Sequence, residues 1–200
     1  CVVNPSSRCS HCSTGMLIAM KRFVPLILVS VTALGACQTT PKGPYGYTDN
    51  YLAAEASITG SPGCHREAVD RFISLYNPLN EETIKQQVDS VYAESLYFND
   101  TLVTLTDRTT LRQHLIGTAS RLDHMSLEVR QVLCSDTNTD VFVLWQMEAI
   151  FSVLGRSRLS RTIGISQLRF NRDGLIHFHQ DFWDSSQGLD QHLPVLGPPT

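Results

Sequence analysis

The chain has 200 residues, of which 42% are apolar, 8% aromatic and 18% charged, with 12 Gly and 9 Pro. That composition excludes a disordered or collagen-like chain and fits one ordinary globular domain. The formal charge of -3 is unevenly placed: Arg8, Lys21 and Arg22 are the only charges before Cys37, and removing them from the 16 basic residues leaves 13 against 19 acidic, a net of -6 from Cys37 onward. Phosphate binding needs a basic face, so the balance argues against a nucleic-acid partner.

Residues 1–15 have neither apolar periodicity nor a targeting pattern, and residues 1–19 read as sequence upstream of the functional start, with Met16 and Met20 both able to initiate. From Met20 the order is basic (Lys21, Arg22), apolar (Phe23 to Ala33), then small. This predicts a secretory signal peptide over residues 20–36, too short to span a bilayer as a stable helix. It ends in Leu34-Gly35-Ala36-Cys37, which resembles the bacterial lipobox. The resemblance implies that the Cys37 thiol is acylated, with palmitate among its chains, and becomes the new N-terminus. Gln38 in the next position then implies an outer-membrane lipoprotein facing the periplasm. The alternative is ordinary cleavage after Ala36 and a soluble secreted protein. Residues 37–63 hold Pro41, Pro44, Pro62 and four Gly without a clear period, and read as a flexible tether. With Cys37 lipidated, Cys64 and Cys134 are the remaining pair in an oxidising compartment; a disulfide and two buried free thiols are both open.

The domain itself is placed at residues 64–197. Val69, Phe72, Ile73 and Tyr76 form one helical stripe, ended by Asn77-Pro78. Asn80 is a good N-cap for a second helix, with Glu81 and Glu82 in its first turn and Ile84, Val88, Val91 and Tyr92 on its stripe. After the apolar Leu96-Tyr97-Phe98, a third helix starts near Asp107, with Leu111, Leu115, Ala119 and Leu122 facing inward. Beyond residue 125 the period changes to two: Leu127, Val129 and Leu133 alternate with charge, and Val141 to Leu154 is apolar on both faces. Gly155-Arg156-Ser157 turns into Leu159 to Phe170, and Asn171-Arg172-Asp173-Gly174 turns into Leu175 to Asp184. The predicted class is α+β, three helices packed on a curved, mostly antiparallel sheet.

Three helices, a short strand pair carrying Tyr97-Phe98-Asn99-Asp100, and four long strands ending in Gln180-Asp181-Phe182-Trp183-Asp184 resemble the nuclear transport factor 2-like superfamily in its SnoaL-like branch. The resemblance implies a cone-shaped half-barrel enclosing a pocket. The tail Gln191 to Gly197 is similar to tails that fold back over the mouth of such cones. Fold alone does not assign chemistry. Against ketosteroid isomerases, Asp100 matches the base, but Arg71 or Phe72 and Ser166 stand where the oxyanion-hole residues belong. Against limonene-epoxide-hydrolase-like proteins, Tyr97 and Asn99 match the water-holding pair, Glu148 the assisting carboxylate and Asp181 the base, whereas Gln146 replaces an arginine that would orient both carboxylates. Gln146 and Glu148 share one strand face, as do His177, His179, Asp181 and Trp183. The candidate catalytic residues are therefore Asp181, Glu148, Tyr97, Asn99 and Gln146, with Asp100, Trp183 and His179 lining a pocket. The same faces also suit a polar ligand cavity or a solvated surface.

No cofactor is expected. No metal site is expected either, since alternate residues such as His177, His179 and Asp181 lie about 7 Å apart, wide for ligands of one ion. The arginines Arg156, Arg158, Arg161 and Arg169 near the hairpin suit anionic lipid or a solvated sheet face. The leading expectation is an envelope lipoprotein binding a small hydrophobic molecule. The alternatives are a hydrolase or isomerase with Asp181 as general base, and a non-catalytic accessory subunit that dimerises through its sheet.

Overall fold

The computed structural model describes residues 46–188, so the signal segment, Cys37 and the tail Gln191 to Gly197 lie outside the described residues. Chain order is α1 (Thr48–Ser57), α2 (Arg66–Leu75), α3 (Glu81–Val91), β1 (Tyr92–Asn99), β2 (Thr104–Asp107), α4 (Arg108–Ala119), β3 (Leu122–Leu133), β4 (Asp140–Val153), β5 (Arg156–Phe170), β6 (Ile176–Trp183) and α5 (Ser185–Gly188). The class is α+β, as the periods indicate. One curved sheet has the order β2-β1-β6-β5-β4-β3. All neighbours are antiparallel except β1 and β6, which are parallel.

Local signals explain most boundaries. Asn80 caps α3 by accepting the Thr83 N–H at 2.9 Å, and Asp107 caps α4 by accepting the Thr110 N–H at 2.8 Å; such caps are each worth about 1 kcal/mol. The two Thr110 donors hold the Asp107 carboxyl below the usual carboxylate range. Tyr92, expected at the end of a helical stripe, instead opens β1, because α3 passes into the strand with no intervening loop. The helices bury Val69, Phe72, Leu75, Ile84, Val88, Leu111 and Leu115 against the inner sheet face, which supplies Val141, Val143, Leu168, Phe170 and Ile176.

The tether expectation over residues 37–63 needs correction at residues 48–57, which form α1. This helix has no long apolar stripe, so its sequence shows no amphipathic period, and Ala54 is its one buried residue. It is held by point contacts on the outer sheet face. The Tyr51 ring packs on Phe178 and Phe182, and its hydroxyl donates to Glu55 Oε1 at 2.8 Å and Gln167 Oε1 at 3.0 Å. Arg169 of β5 donates to the carbonyls of Glu55 in α1 and of Ile58 just after it at 2.7 and 2.6 Å while pairing with Asp140 at 2.7 Å. Of the two open readings of the cysteines, the disulfide is the one formed: Cys64 and Cys134 are bonded, with Cα atoms 5.2 Å apart across a separation of 70 residues. Closing a loop of that size removes roughly 4 kcal/mol of chain entropy from the unfolded state.

Candidate functional site

β6 lies between β1 and β5, and strand alternation sorts its side chains between the two faces. Phe178 turns outward to Tyr97 and Ala54, whereas His179 and Asp181 turn inward. His179 is 1% exposed. Its ring stacks on Tyr92 at 5.9 Å and meets the rings of Phe98 and Phe72 nearly edge-on at 4.9 and 5.5 Å. A ring so enclosed needs partners for both nitrogens. Nδ1 lies 2.8 Å from Tyr92 Oη, and Nε2 lies 2.8 Å from Asp181 Oδ1.

The connection continues in both directions. Tyr92 Oη lies 2.9 Å from Tyr76 Oη; at the other end Ser166 Oγ donates to Asp181 Oδ1 at 2.5 Å, and Trp145 Nε1 donates to Ser166 Oγ at 2.9 Å. One tautomer satisfies all six residues, with Tyr76 donating to Tyr92, Tyr92 to Nδ1 of His179, and Nε2–H to Asp181. Burial, reinforced by the Asp181 carboxylate, pushes both the Tyr76 and Tyr92 phenols well above the usual tyrosine range. They are donors, fixed in place, not acids at neutral pH.

Toward the far end of the network from Tyr76, Asp181 is partly open, with its side chain 16% exposed. The hydrogen bonds from Ser166 and His179 both fall on Oδ1, which leaves Oδ2 for an outside donor. One row nearer the end of β6, Trp145, Gly164 and Trp183 are cross-strand neighbours. A Cβ on Gly164 would run into the Trp145 ring, so glycine here lets the indole lie against the strand and reach Ser166. Thr162 and Gly188 of α5 close around Trp183 at the same end. Two cavities outlined among the described residues lie elsewhere on the surface, one beside Glu81, Glu82, Lys85 and Gln86, the other beside Arg66, Arg71 and Arg172.

Of the expected site residues, His179, Asp181 and Trp183 share the inner face; the others do not join them as expected. Tyr97 and Asn99 flank the inward Phe98 and therefore point outward. Tyr97 donates to Gln180 Oε1 at 2.9 Å and stacks on Phe178; Asn99 donates to Thr104 Oγ1 at 2.7 Å and accepts from Gln180 Nε2 at 2.9 Å. Burial pushes the Tyr97 phenol up, yet it lies across the sheet from Asp181. Gln146 and Glu148 flank Met147, which packs inward, and Glu148 pairs outside with Arg161 at 2.6 Å. The water-activating set of Tyr97, Asn99, Glu148 and Asp181 is thus split between two faces. Asp100 is committed to its own turn: Oδ1 accepts from the N–H groups of Leu102 and Val103 at 3.0 and 2.9 Å, and Oδ2 lies 2.7 Å from His114 Nε2. Trp183 Nε1 donates to the Asp100 carbonyl at 2.8 Å. His177 leaves the row of His179 because the β5–β6 register shifts there, pairing Phe170 with Ile176 but Arg169 with Phe178.

Sequence reasoning missed Tyr76, Tyr92 and Trp145 as members of the network, and treated Ser166 only as the absence of an aspartate. A signal existed for Ser166 alone, since it lies on the strand hairpin-paired with the one that carries Asp181.

The family described as Uncharacterized conserved protein (DUF2358) matches residues 73–179. The chain belongs to that family. The matched stretch of this DUF2358 member runs from within α2 to His179, so Asp181 and Trp183 fall beyond it. None of the curated proteins matches the chain. Solved structures do. An NTF2-like protein of unknown function from Exiguobacterium sp. 255-15 is 14% identical, with a TM-score of 0.51 over 58% of this chain and 98% of that one. A phenazine biosynthesis-related protein from Pseudomonas aeruginosa is 12% identical, with a TM-score of 0.53 over 74% and 95%. A candidate SnoaL-like polyketide cyclase from Shewanella denitrificans OS-217 is 11% identical, with a TM-score of 0.53 over 62% and 92%. At these identities the likeness is one of fold, and the fold is the NTF2-like, SnoaL-like cone.

Proposed function

We propose that this DUF2358 member is a lipid-anchored protein of the bacterial envelope whose cone binds a small, largely apolar molecule carrying one hydrogen-bond donor. The observation that carries the reading is the Asp181 carboxylate. Oδ1 is fixed by Ser166 and His179, Oδ2 makes no described hydrogen bond, and the next inner-face row holds the aromatic Trp145 and Trp183. Binding sites of this kind combine apolar walls with a few placed polar groups. The split of Tyr97, Asn99 and Glu148 from Asp181 weighs against hydrolysis of the epoxide-hydrolase type, so binding is preferred to water activation.

N-phenylnaphthylamine, an apolar fluorophore with one N–H donor, is the probe. Saturable fluorescence enhancement with the wild-type chain, weakened at least about tenfold in Asp181→Ala by loss of a hydrogen bond to a charged group, supports the reading. Enhancement that is non-saturable, or unchanged in Asp181→Ala, overturns it. The anchor is tested separately: Cys37→Ser should lose acylation and leave the membrane fraction, and an unchanged mature N-terminal mass with unchanged membrane recovery overturns that part.

A second reading, a non-catalytic subunit that dimerises through the sheet, is favoured by the exposed Leu159 and Ile163 on the outer face, 50% and 66% accessible. A concentration-dependent dimer abolished by Ile163→Lys would support it.

A further inference from the structure

We infer that the tip of the β4–β5 hairpin is a membrane-contact element that inserts Leu154 into the interface of an anionic phospholipid bilayer. The tip projects beyond the rest of the sheet. On one side β3 stops pairing with β4 at Phe151, and on the other β6 stops pairing with β5 at Gly164. β4 and β5 alone continue to the pair Val153 and Arg156, leaving a two-stranded ribbon closed by Leu154 and Gly155.

The two loop residues have φ of 51° and 73°, the positive pair of a hairpin turn that favours Asn-Gly or Asp-Gly. Leucine is a poor choice for that backbone, since its Cβ opposes positive φ. It is also 85% exposed, the highest among the exposed large apolar residues of the described chain. A residue that violates both the turn preference and the solvent preference gives nothing to folding, and such local conflicts mark functional positions.

Charge selects the occupant. Between Phe151 and Ser160 the chain holds Arg156 and Arg158 and no acid of its own; the carboxylate set against this ribbon is Asp123 of β3, which accepts from Ser152 Oγ at 3.1 Å. Both arginines are exposed, and among the described residues neither is in an ion pair, whereas Arg161 is neutralised by Glu148 and Arg169 by Asp140. An apolar tip with guanidinium groups at the first and third strand positions behind it matches the vertical order of a bilayer interface, acyl boundary outside and phosphates behind. A second protein copy would need an acidic apolar partner surface, and nothing on the tip is complementary to itself. The inference does not depend on the lipid anchor.

Hydrogen exchange of the full chain reconstituted on phosphatidylglycerol vesicles, phosphatidylcholine vesicles and without vesicles tests it. The expected result is slowed exchange over residues 150–160 on phosphatidylglycerol only, reversed by high salt, lost in Leu154→Asn, and lost in Arg156→Gln/Arg158→Gln. Asparagine tolerates positive φ, so Leu154→Asn keeps the turn while removing the apolar group. Unchanged exchange at the tip on anionic vesicles overturns the inference even if the chain sediments with them through its N-terminus. Slowed exchange without vesicles that grows with protein concentration also overturns it, in favour of self-association. Slowed exchange on phosphatidylglycerol by a chain whose Cys37 proves unacylated supports the hairpin and removes only the anchor.

Discussion

The two faces of the sheet carry the same kinds of residue on the same strands and use them differently. Inside, Asp181 accepts from His179 and Ser166 in a network whose histidine is 1% exposed. Outside, Glu148 meets an Arg161 that is 65% exposed. A carboxylate removed from water must have its hydrogen bonds built in, so each inner partner is held by another side chain; the outer one is screened and interchangeable. The part of the outer face under α1 is intermediate. There Arg169, Gln167 and Gln180 are buried and paired, because a helix that is itself weakly amphipathic excludes water from them.

The comparison predicts a gradient of mutational cost. His179→Ala should be the most damaging, since it opens a cavity among Phe72, Tyr92 and Phe98 and strands Tyr92 Oη; about 3–5 kcal/mol is expected in urea unfolding. A loss below about 1 kcal/mol would show that the inner network is not structural. Gly164→Ala should cost about 1–3 kcal/mol by forcing Trp145 off its strand, with a change in tryptophan fluorescence as its second readout. Tyr97→Phe removes one buried hydrogen bond and leaves Gln180 Oε1 without its donor, for about 1 kcal/mol on the α1 side.

The next test is of pH. Burial, with the Arg169 charge adding to it, holds the His177 pKa below the ordinary histidine value, and Nε2 has no partner in the described structure. The folded protein therefore takes up the proton less readily than the unfolded chain. Stability from this group is complete above about pH 6.5 and is lost as pH falls below it. His177→Gln should flatten that acid limb while leaving stability at pH 8 nearly unchanged; an acid limb identical to wild type would assign the loss to other groups. The smallest effect belongs to Glu148→Gln, within about 0.5 kcal/mol, as for other solvated pairs. A loss as large as that of His179→Ala would dissolve the distinction between the faces.

Much of the architecture was legible. Period changes, the Asn80 and Asp107 caps and the Asn171 to Gly174 turn placed three helices and the four long strands, because each of these signals acts within a few residues. α1 was not legible, since its contacts are Tyr51 on Phe178 and Phe182 and Arg169 on two carbonyls, all distant in sequence. The facing of the candidate site was also hidden. Strands β1 and β4 are apolar on both sides, so alternation shows which residues share a face without showing which face is inside.

By itself, then, the sequence determined the element order from α2 to β6, the α+β class and the shared facing of His179, Asp181 and Trp183, all consequences of local propensity and strand period. Tertiary structure decided the partners. Counted back from the pair Phe170 and Ile176 without interruption, Ser166 would face Gln180; the register shift at His177 moves it opposite Asp181. One extra residue in one strand reverses every side chain beyond it, and that shift is selected by the packing of Ile176 inward and Phe178 outward, against two layers that meet only when the chain has folded.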